Sequence, residues 1–74
     1  MRPSEFKRIR TELGLTATQW GKLLGYKCND NAMRVLISRM ENGHTGITPQ
    51  VAMLAESYRQ HGVPAHRLAL LDTL

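Results

Sequence analysis

Between positions 31 and 39, Asn31, Arg34, Val35, Ser38 and Arg39 bring together an amide, two guanidinium groups, a hydroxyl and a small branched apolar side chain. Such groups can form hydrogen bonds and make small apolar contacts with something laid against them. At ~100° per residue, Asn31, Val35 and Ser38 share one face of a helix, with Arg34 and Arg39 on its flanks. Met33, Leu36, Ile37 and Met40 fall at i, i+3, i+4 and i+7 and make an apolar stripe on the other side. A helix used only for packing needs no such set of outward groups. This one is half core and half display.

No other constellation offers comparable chemistry. His44, His61 and His66 lack the paired spacing and the partners of a zinc site, and nothing supports an enzyme. Cys28, the single cysteine, cannot form an internal disulfide and reads as a loop thiol from a reducing compartment. Trp20 takes an inward helical position and reads as core. Asp30 is most simply a helix cap. No catalytic residue, metal, cofactor or small-molecule ligand is expected.

The charge is unevenly placed. Eight of the ten Lys and Arg but only three of the six Asp and Glu lie in residues 1–39, leaving the remainder slightly acidic. That asymmetry points to a polyanion against one face. Seventy-four residues make one domain with no room for a second core, and at this size a compact helical bundle supported by dimerisation is the economical solution. No apolar run approaches the ~18 residues of a membrane span, and no signal-peptide segment opens the chain. A cytoplasmic protein is expected.

Glycine and proline divide the chain into five helices, all-α overall. The first covers 3–13 and stops at Gly14. Thr16 caps a second, 17–24, with Gln19 as its capping-box partner. Gly21 within it predicts close approach of another backbone, because glycine there costs roughly 1 kcal/mol relative to alanine. The third runs from about Asn31 to Glu41, with Gly43 as the left-handed residue that follows. Thr48-Pro49 opens a fourth over 49–61. A short fifth, 65–72, offers Leu68 and Leu71 inward; Tyr58, Val63, Leu68, Leu71 and Leu74 read as core or dimer contacts.

The segments "LGLTATQWGKLLGY" and "ISRMENG" resemble the phage lambda Cro/C1-like (XRE-type) family of helix-turn-helix regulators. The resemblance spans most of residues 5–60, and it implies a compact five-helix lambda-repressor-like DNA-binding domain. It implies that Thr16 opens a helix crossing the DNA backbone, where the amides of Thr16 and Ala17 meet a phosphate. It implies that Ile37 and Met40 anchor a recognition helix whose Arg34, Val35, Ser38 and Arg39 face the major groove. Asn42 and Gly43 would bring the next loop to phosphates, and Arg10 and Glu41 match a structural salt bridge; His44, which follows that turn, reads either as a phosphate contact or as facing solvent. Lys7, Arg8, Lys22 and Lys27 would add sequence-independent attraction.

Two departures from the family pattern have consequences. Ala17 replaces the usual glutamine, which removes one side-chain phosphate contact. Gly25 to Ile37 is a step of twelve residues, about twice the usual one. Either the loop bulges or helix 3 starts roughly one turn early; the caps offered by Asn29-Asp30-Asn31 favour the early start. Asn29 and Asn31 thereby join the candidates for DNA contact. The expected function is a sequence-specific, non-enzymatic regulator, a homodimeric repressor on an inverted-repeat operator of double-stranded DNA. The rival is an antitoxin or adaptor that docks a partner protein through Leu68, Leu71 and Leu74.

Overall fold

The computed structural model of the chain describes residues 1–69. Five helices follow one another: α1 (Pro3–Glu12), α2 (Ala17–Leu23), α3 (Asp30–Glu41), α4 (Pro49–His61) and α5 (Ala65–Leu68). No strand occurs among the described residues, so the architecture is all-α. The end of the helix expected over 65–72 lies outside them, as do Leu71 and Leu74.

The starts are set by local chemistry. At α2 the Thr16 hydroxyl accepts from the Gln19 amide at 3.2 Å, while the Gln19 side-chain oxygen accepts from the Thr16 amide at 3.0 Å. This reciprocal capping box satisfies two donors that a helix start leaves orphaned. At α3 Asn29 is the cap, accepting from the Ala32 amide at 2.8 Å. The helix thus begins early, at Asp30, and Asn31 is its second residue rather than its cap. Thr48 caps α4, with Pro49 in its first turn.

The helices close around Trp20, which is fully buried between Phe6 and Tyr58, with ring centroids 5.5 and 6.1 Å away. α2 packs broadly on α3, and α1 packs on both α3 and α4. Gly21 is buried at the α2–α3 seam, where a Cβ would overlap Sδ and Cγ of Met33. The close approach expected at this glycine is made by a side chain, not by a backbone. One inward assignment fails: Leu68 is 44% exposed, because α5 spans a single turn and buries none of its residues.

Tyr58 ties α4 to the end of α2. Its hydroxyl donates to the Leu23 carbonyl at 2.7 Å, and burial pushes the phenol above its usual range, offset in part by Arg67. A phenol raised on folding stays neutral when its unfolded counterpart ionises, so its contribution is complete below about pH 10 and is lost as pH rises through the folded value. Tyr58→Phe is expected to cost about 1–2 kcal/mol at neutral pH, since the Leu23 carbonyl loses its donor. Denaturant titrations from pH 8 to 11 should show a flatter alkaline decline in the variant. Equal declines would mean that Tyr58 does not control alkaline stability.

Candidate functional site

α3 has two faces with nothing in common. Met33, Ile37 and Met40 are at most 1% exposed and press into the core, with Leu36 half-buried beside them. Asn31, Arg34, Val35, Ser38 and Arg39 are all exposed, Val35 to 57%. The five residues singled out by type and spacing therefore lie together on the outward side. The buried stripe fixes the rotation of the helix, and through it the direction in which they project.

Glu41 is the acid at the C-terminal end of α3, and Arg10 takes it. Arg10 Nε donates to Glu41 Oε2 at 2.7 Å and Nη2 to Oε1 at 3.3 Å, while Nη1 donates to the Leu15 carbonyl at 3.0 Å. The two side chains are 17% and 8% exposed. One guanidinium thus joins α1, the turn before α2 and the end of α3. It also leaves Asp30, in the first turn, as the remaining free carboxylate of α3. No ion pair engages Arg34 or Arg39 among the described residues.

The polar groups at either end of this face are already hydrogen-bonded. Arg34 Nη2 donates to Asn31 Oδ1. Asn42 Nδ2 donates to the Ser38 carbonyl at 2.8 Å and reaches Ser38 Oγ at 3.3 Å. Gly43, at φ +80°, turns the chain so that the amides of His44 and Thr45 reach back to the Arg39 carbonyl at 2.8 and 3.2 Å. The left-handed conformation is open to glycine without steric cost. Of the loop residues expected to meet phosphates, Asn42 spends its amide nitrogen on Ser38 and His44 spends its main-chain amide on Arg39. The His44 residue itself is exposed.

The remaining residues expected at phosphates divide into two groups. Thr16 and Asn29 are caps, and the capping box leaves the amides of Ala17 and Thr18 outside it. Lys7 and Lys27 are exposed; Lys22 is half-buried. Lys22 and Lys27 line one concavity with Tyr26, Cys28, Met33 and Arg67. Arg67 was not expected there, and nothing local to its sequence would have signalled it, because α5 carries it beside α2. Arg8 stands apart from these. It lines a concavity between α1 and α4 with Glu5, Glu12, Glu56 and Arg59, which no residue of α2 or α3 borders. There Arg59 bonds Glu56 and holds that carboxyl below the usual carboxylate range. Arg8 therefore stands on a mixed-charge surface.

Among the described residues no cluster of His, Cys, Asp or Glu could hold a metal ion, and no helix is long and apolar enough to cross a membrane. No family model, curated protein or solved structure matches the chain.

Proposed function

We propose that this protein is a sequence-specific, non-enzymatic double-stranded DNA-binding regulator, a homodimeric transcriptional repressor of phage or mobile-element type acting in the cytoplasm. The observation that carries the reading is the outward face of α3. It combines exposed Arg34 and Arg39 with Asn31, Ser38 and Val35 on a helix whose other side is buried. In this reading α2 and α3 form a helix-turn-helix, and α3 enters the major groove. Arginine donors reach guanine, Ser38 a base edge, and Val35 a thymine methyl. The amides of Ala17 and Thr18, with Lys22 and Lys27, meet phosphates. A domain this small reads few base pairs, so two copies on an inverted repeat supply the specificity. Met53, at 74% exposed, is a large apolar side chain available to pair them.

Selection from a random duplex pool at two salt concentrations tests the reading. A symmetric enriched motif, with affinity falling steeply as salt rises, is the expected result. Lys22→Ala should weaken every sequence about equally and reduce the salt slope by roughly one. A loss confined to one base position would make Lys22 a reader and overturn the orientation. The exposure of Leu68 favours a second reading, an antitoxin or adaptor docking a partner protein near α5. An adaptor would enrich no motif.

A further inference from the structure

Two asparagines govern what the outward face of α3 can recognise. Asn31 Oδ1 accepts from Arg34 Nη2. A guanidinium has donors only, so the amide oxygen must be the atom turned toward it. An asparagine that reads adenine needs both ends of its amide, accepting from N6 and donating to N7. With its oxygen on Arg34, Asn31 can offer adenine N6 only the second lone pair of that oxygen, in the orientation the guanidinium sets.

Asn42 acts in the opposite sense at the other end. Its Nδ2 is held by the Ser38 carbonyl, which only accepts, and lies 3.3 Å from Ser38 Oγ. A hydroxyl that accepts from Asn42 keeps its own proton to donate. The acids of α3 add no acceptor at the centre of the face. Glu41 is bound by Arg10, and Asp30 lies about 100° round the helix from Asn31. The N–H and O–H groups of Arg34, Arg39, Ser38 and the Asn31 nitrogen outnumber the lone pairs left on Asn31 Oδ1 and Ser38 Oγ, with the apolar Val35 among them. Guanine is the base whose major-groove edge offers two acceptors, N7 and O6.

We propose that Asn31 is a positioning residue: it aims Arg34, and Arg34 reads one guanine through N7 and O6, within a half-site that α3 reads mainly by donating hydrogen bonds. This rests on α3 being a DNA-reading helix. Asn31 then has no base pair of its own, and its substitution acts at the base pair that Arg34 reads.

The test is selection from a random duplex pool with the full chain and with Arg34→Ala, Asn31→Ala, Asn31→Asp and the double alanine variant. All substituted positions are exposed, and circular dichroism verifies that each variant folds. Arg34→Ala should reduce discrimination at one G·C pair by roughly 5- to 140-fold. Asn31→Ala should relax that same pair and no other, and the double variant should match Arg34→Ala. Asn31→Asp should keep the guanine preference, since a carboxylate still accepts from the guanidinium, while weakening all sequences together. Placing 7-deazaguanine at that position should weaken the wild type and leave Arg34→Ala unchanged. Relaxation by Asn31→Ala at a separate, adenine-containing pair would overturn the proposal while leaving the DNA-reading helix intact. Loss of the guanine preference in Asn31→Asp would also overturn it. A folded wild type that enriches no motif would instead remove the DNA reading on which it rests.

Discussion

Arg10→Met is expected to lower stability by about 3 kcal/mol and the melting temperature by roughly 12–24 °C, with no DNA present. Both oxygens of Glu41 are held by Arg10, and that carboxylate is only 8% exposed. Deleting the guanidinium leaves a charge where water reaches it poorly and takes the donor from the Leu15 carbonyl. The figure is placed at the low end for a buried pair because Arg10, at 17% exposed, is partly hydrated. A domain of this size holds only roughly 4–11 kcal/mol in total, so the variant would be near its limit at body temperature. Arg10→Met combined with Glu41→Leu should recover most of the loss, since an apolar pair leaves no stranded charge. Thermal melts followed by circular dichroism decide the matter. An unchanged melting temperature in the single variant would mean that the pair is a surface contact.

The parts of this fold that were legible in the sequence are those fixed by neighbours along the chain. The Thr16–Gln19 capping box, the Thr48-Pro49 start and the stripe from Met33 to Met40 depend on residues within one or two helical turns. Helix bounds could therefore be read closely, 31–41 against Asp30–Glu41 for α3. The pairing of Arg10 with Glu41, thirty-one residues apart, came only through a family resemblance. Residue type and spacing do not reveal contacts at that range.

What stayed illegible depends on which rotamer a side chain takes and on which element is brought beside it. Residue type and spacing place Asn31 on the outward face but do not show that its oxygen turns to Arg34. They likewise do not show that Asn42 donates to Ser38. An exposed amide has several partners of similar energy within reach, and periodicity does not choose among them. The surroundings of Arg8 and Arg67 were illegible for a different reason. One lies between α1 and α4 among acids, and the other is carried beside Lys22 by α5.

On the proposed DNA-reading role of α3, Val35→Glu is expected to abolish DNA binding while leaving the fold untouched. Val35 is 57% exposed at the middle of the outward face, so its replacement opens no cavity. Glutamate is the better helix former, and at position 35 it stands four residues before Arg39, the favourable order for an i,i+4 pair. Stability should hold or rise by a few tenths of a kcal/mol. Binding should fall by at least ~100-fold, because a carboxylate aimed at DNA meets phosphate repulsion worth several kcal/mol and also engages Arg39. Val35→Thr, which keeps a methyl group, should lose far less. Melting curves and titrations of the selected duplex at two salt concentrations separate the two effects. A marked drop in melting temperature would mean that Val35 supports the core. An unchanged Kd would mean that this face of α3 does not meet the DNA. If Leu68→Glu instead removed the biological effect while Val35→Glu did not, the working surface would lie at α5, as an adaptor requires.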